Sequence, residues 1–114
     1  MTNRIGAIAV LVLAISSTQA VAALSEHEAR DKATQILLGD PYGNTQEEIA
    51  GNVKEAQLLS DGKTLACGQV EKPVWQFHVV VKSPVNNPTS PIDGYLVIDA
   101  NSGTMVCANL PMLN

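Results

Sequence analysis

Residues 74–82 read VWQFHVVVK, nine positions without glycine, proline or an acidic side chain, rich in β-branched and aromatic types. Such a run favours a strand. Successive side chains of a strand point to opposite faces, so Trp75, Phe77, Val79 and Val81 share one side. Gln76, His78, Val80 and Lys82 share the other. The first set is a core face and the second is polar enough to meet water. A sheet needing cover on one side only is met by a helix laid across an antiparallel sheet. The expected fold class is therefore α+β, with one main N-terminal helix packed on an antiparallel sheet of four to five strands.

Downstream, residues 94–108 read GYLVIDANSGTMVCA. Two apolar runs, Gly94–Asp99 and Thr104–Ala108, flank the small polar turn Asp99–Gly103, the pattern of a hairpin. Between this hairpin and the central strand, residues 83–93 (SPVNNPTSPID) carry three prolines and two asparagines and predict a long exposed loop. Upstream, Lys54–Leu59 and Thr64–Val70 predict two more strands, joined by Ser60-Asp61-Gly62-Lys63 as a tight hairpin. Further back, Ser25–Leu38 (SEHEARDKATQILL) predicts a helix. Ser25 and Glu28 form a capping box, Ala29, Ala33, Ile36 and Leu37 an apolar stripe, and Gly39 with Pro41 the stop. Thr45 and Glu48 predict a second, short helical turn around residues 46–50.

The N-terminus has a different character. Met1–Arg4 carries one positive charge, Ile5–Ile15 is an unbroken apolar run, and Ala20-Val21-Ala22-Ala23 offers small residues at an A-x-A site. This pattern predicts a secretory signal peptide over residues 1–23, cleaved after Ala22 or Ala23, and a single domain over residues 24–114. The apolar run is short of the ~20 residues a spanning helix needs, which disfavours an uncleaved anchor. Loss of residues 1–23 removes Arg4 from the seven Lys and Arg, leaving six against eleven acidic residues, a net charge of −5. That balance argues against nucleic acid and anionic membrane surfaces as partners. A periplasmic or secreted location follows from the signal. Cys67 and Cys107 are the only two cysteines, and an oxidising compartment allows them one pairing. Two buried thiols are the alternative, while a metal site lacks the paired C-x-x-C spacing.

The order of a helix opening S-E-H-E-A, a strand P-V-W-Q-F-H-V-V-V and a hairpin G-Y-L-V-I-D-A-N-S-G-T-M-V resembles the PepSY domain family. Glu28-Ala29, Trp75 to Val81 and Tyr95 to Val106 occupy the places of the family's motifs. Ser102 stands where that family usually has threonine, and the proline-rich loop and the cysteines are not family hallmarks. The resemblance covers about Leu24 to Val106. It implies a small extracytoplasmic domain of the kind found in propeptides of thermolysin-type proteases, which inhibits or chaperones a protease.

The expected function is accordingly a non-catalytic extracytoplasmic binding module. Its partner would be a protein or peptide, with a secreted or periplasmic protease as one class. Candidate contacts are Asn86, Asn87, Thr89 and Ser90 in the loop, with His78 on the polar face, together with an exposed sheet edge. Two other readings stand beside this one: a structural or assembly subunit of the envelope, and a small enzyme using His78 with a nearby carboxylate. Neither H-E-x-x-H, G-x-S-x-G nor a phosphate-cradling glycine loop occurs in the chain. The D-A-N-S-G turn is too short for a calcium loop, and His27 and His78 have no spacing that forces convergence. No cofactor and no metal are expected. Trp75 reads as a core anchor, its rival role being a binding hot spot.

Overall fold

The structure is a computed structural model that describes residues 22–84 and 90–113. The expected signal peptide lies outside the described residues apart from exposed Ala22 and Ala23, and so do Asn86, Asn87 and Thr89.

Helix α1 spans Glu26–Leu37. The Ser25 hydroxyl accepts the Glu28 N–H at 3.1 Å and the Glu28 carboxylate accepts the Ser25 N–H at 2.9 Å, so two orphan donors of the first turn are satisfied reciprocally. The Ser25 N–H, and after it the Ser25 hydroxyl, hold the Glu28 carboxyl below its usual range. Ala29, Ala33, Thr34 and Leu37 form the buried side of α1. Helix α2, Gln46–Asn52, starts where the Thr45 hydroxyl accepts the Glu48 N–H, and it buries Ile49. The Glu48 carboxylate reaches the Asn44 N–H at 2.6 Å.

Strands β1 (Val53–Leu59), β4 (Val74–Val81), β5 (Ile92–Asp99) and β6 (Met105–Ala108) form one antiparallel sheet in the order β1-β4-β5-β6. The fold is α+β, with two helices and a four-stranded antiparallel sheet among the described residues. Ala29, Ala33, Leu37 and Ile49 from the helices share one apolar core with Trp75, Phe77, Val79, Val81, Leu96 and Ile98. Phe77 and Val79 are fully buried, and Trp75 is 8% exposed, which makes it a core anchor. Its indole N–H donates to the Leu24 carbonyl at 3.0 Å, and the Leu24 N–H donates to the Ala100 carbonyl at 2.7 Å. The chain is thus tied to the sheet just before α1 begins. Arg30 of α1 ties it again, its guanidinium donating to the carbonyls of Val53 at 3.2 Å and Lys54 at 2.8 Å.

The structure corrects the sequence reading between Leu59 and Val74. Thr64–Val70 is not a sheet strand, and β1 pairs with β4 instead of with it. Residues 60–73 form an excursion containing only the two-residue strands β2 (Lys63–Thr64) and β3 (Gly68–Gln69), paired with each other. The Thr64 hydroxyl causes the reversal: it accepts the Cys67 N–H at 3.0 Å and donates to the Gly68 carbonyl at 2.7 Å. Gly68 completes it at φ +70°, a conformation that glycine adopts without steric cost. The Asp61-Gly62 turn does form, but it closes on Val70, whose N–H donates to the Gly62 carbonyl at 2.9 Å. A Cβ at Gly62 would collide with the Val70 carbonyl.

A second correction concerns the face opposite Trp75. Gln76 is 2% exposed, and Val74 and Val97 are fully buried, so half of this face does not meet water. The excursion lies over it. The Leu65 N–H donates to the Gln76 side-chain carbonyl at 2.7 Å, and Cys67 is disulfide-bonded to Cys107, the register partner of Val97. The Cα atoms of the bridge are 6.5 Å apart, within the span a disulfide accepts.

Candidate functional site

Antiparallel register places four residue pairs of β4 and β5 along this second face: Val74 with Asp99, Gln76 with Val97, His78 with Tyr95, and Val80 with Asp93. The excursion covers Val74, Gln76 and Val97. The other end stays open, and there His78, Val80 and Tyr95 are half-buried and Asp93 is exposed. His78 Nε2 and Asp93 Oδ1 are 2.6 Å apart, a diagonal cross-strand pair. The rings of His78 and Tyr95 stack with centroids 5.0 Å apart and planes 25° from parallel. Asn109, just past β6, pins the Tyr95 backbone: its Oδ1 accepts the Tyr95 N–H at 2.6 Å and its own N–H donates to the Tyr95 carbonyl at 3.1 Å. Gly94 admits this approach, since a Cβ there would lie 2.6 Å from the Asn109 carbonyl oxygen.

The result is a small open patch with an aromatic floor, an oriented imidazole and an exposed carboxylate. Such a surface can stack on and hydrogen-bond a partner side chain or peptide group. It adjoins a cavity of about 460 Å³ whose lining includes Pro84, Ser90, Pro91, Ile92, Asp93 and Met112. Of the sequence-derived contacts that are described, His78 lies 2.6 Å from Asp93, and exposed Ser90 lines the same cavity as Asp93. His27 does not join them. It projects from α1 on the other side of the sheet, 86% exposed and 3.7 Å from Asp31. Among the described residues no cluster of three or more His, Cys, Asp or Glu could hold a metal ion.

Asp93, Tyr95 and Asn109 escaped the sequence reading. The alternation of residues 92–99 puts Asp93 and Tyr95 on one face, but only the β4–β5 register reveals that His78 is their neighbour. The Asp99 turn performs local work. Asp99 Oδ1 accepts the N–H groups of Asn101 at 2.7 Å and Ser102 at 3.0 Å, and its other oxygen lies 3.2 Å from Lys72 Nζ. The bonds from Ser102 and Asn101, then Lys72, hold the Asp99 carboxyl below its usual range.

The disulfide is consistent with an oxidising, extracytoplasmic environment. The chain matches no family model, and neither curated proteins nor solved structures show a match to it.

Proposed function

We propose that this chain is a PepSY-type binding domain that works outside the cytoplasm and acts on a protein partner, with an extracytoplasmic protease as the partner class. The observation that carries this reading is the division of the second sheet face. A disulfide-fastened excursion shields one half, while the other half presents His78, Tyr95, Val80 and Asp93 to solvent, next to a cavity lined by Pro84, Ser90 and Pro91. Stacked aromatic surface with a few polar groups is the composition of contact sites rather than of a solvated exterior. The motif resemblance adds the protease as partner and inhibition or chaperoning as mode.

The test is capture of a protease from the native envelope fraction by the wild-type chain, followed by inhibition assays with the captured enzyme. Tyr95→Ser and His78→Ala are expected to weaken inhibition by about tenfold each. Unchanged inhibition by both variants would remove the patch from the reading. One observation favours a second reading: a carboxylate 2.6 Å from an imidazole is how a general base is oriented. An enzyme using that pair would lose its turnover in His78→Ala while keeping its partner binding.

A further inference from the structure

We propose that the outer edge of β6 is where an extended segment of the partner protein adds as a fifth strand, which specifies the contact within the binding role proposed above. The sheet has two ends, β1 and β6; each pairing carries one irregularity, between Val53 and Ala56 on β1 and between Met105 and Cys107 on β6, but the two edges differ in charge and in backbone contacts. At β1, Lys54 and Glu55 stand exposed. Arg30 occupies the carbonyls of Val53 and Lys54. Exposed charges and occupied backbone groups are devices that keep an edge strand from accepting another.

β6 carries no charge, and among the described residues no hydrogen bond is made to its outer edge. Residues 104–110 read TMVCANL, without a charged residue or proline. Met105 is 42% exposed, and Val106, Cys107 and Ala108 are half-buried. Since the Asn109 N–H points inward to Tyr95, alternation turns the N–H and carbonyl of Ala108 outward. An added strand would gain backbone bonds from the edge and specificity from apolar side chains beside Met105. The occupant is therefore an extended, uncharged segment of another protein. A second copy fits less well, because two four-residue strands paired over about 14 Å bury far less than the ~800 Å² per partner of a stable interface.

A displayed library of ten-residue peptides, panned against the full chain with its disulfide intact, tests this. Enriched peptides are expected to carry four or five uncharged residues of alternating apolar character, and their binding should slow amide exchange at Ala108. Met105→Lys, which charges an exposed site, and Ala108→Pro, which removes an outward N–H, should each weaken an enriched peptide about tenfold or more. Both variants must keep the wild-type circular dichroism spectrum, and Met105→Lys serves if Ala108→Pro does not. Equal affinity in Met105→Lys, exchange protection confined to β1, or a wild-type chain that dimerises through β6 without binding peptide would overturn the edge. If peptides bind but Tyr95→Ser alone weakens them, the binding role survives and the edge fails. If the wild type enriches no sequence, the binding role falls and the edge with it.

Discussion

Asp99 closes the β5–β6 turn with one carboxylate oxygen bonded to two backbone N–H groups. Both bonds favour the charged form, so its carboxyl titrates below the usual range. The stability this adds is fully present above the ordinary carboxylate pKa near 4 and is lost as pH falls through the lowered value. Asp99→Asn, which keeps an acceptor but drops the charge, should flatten the acid limb of a thermal-stability profile below about pH 4. Tyr42 behaves oppositely. Its buried hydroxyl donates to the Pro111 carbonyl, and burial pushes its pKa up to about 12. Unfolding releases a phenol that ionises near 10, so stability falls as pH rises from about 10 towards 12. Tyr42→Phe should remove that alkaline loss, read as a shallower fall in melting temperature. Phe77, at 0% exposure, belongs to the core itself, and Phe77→Ala should cost ~3–5 kcal/mol in urea unfolding.

The elements differ in how far residues alone reveal them. Helix α1 was legible because its capping box and apolar stripe are local signals, and β4 because Trp75, Phe77, Val79 and Val81 alternate without interruption. The β5–β6 hairpin was legible through Asp99 and Gly103. The excursion was not, since TLACGQV satisfies strand composition while its reversal depends on the Thr64 hydroxyl and the positive φ of Gly68. Pairing of β1 with β4 across fourteen intervening residues is a tertiary choice that local composition does not encode. The disulfide explains how so thin a cover stays in place, because it closes a separation of 40 residues. Replacing Cys67 and Cys107 together by serine should cost ~3–4 kcal/mol in the chain-entropy view. Amide exchange should quicken at Leu65, whose N–H bond to Gln76 the excursion holds.

At the scale of the whole molecule, one apolar core between two helices and the sheet leaves the opposite side of the sheet to a cover that reaches only halfway. That division was partly legible: His78 was placed on the correct face, but Asp93 and Tyr95 become its companions only through strand register. It also separates structural from binding substitutions. Phe77→Ala should lower stability and binding together, whereas Tyr95→Ser should lower binding with a melting temperature near wild type. The same organisation sets where the folded unit starts. Leu24 precedes every described helix and strand, yet its carbonyl receives the Trp75 indole and its amide reaches Ala100. A protease that trims the chain after Ala23 leaves both anchors in place. One that removes Leu24 strands the indole donor in the interior, so the shortest stable fragment for crystallisation or fusion begins no later than residue 24.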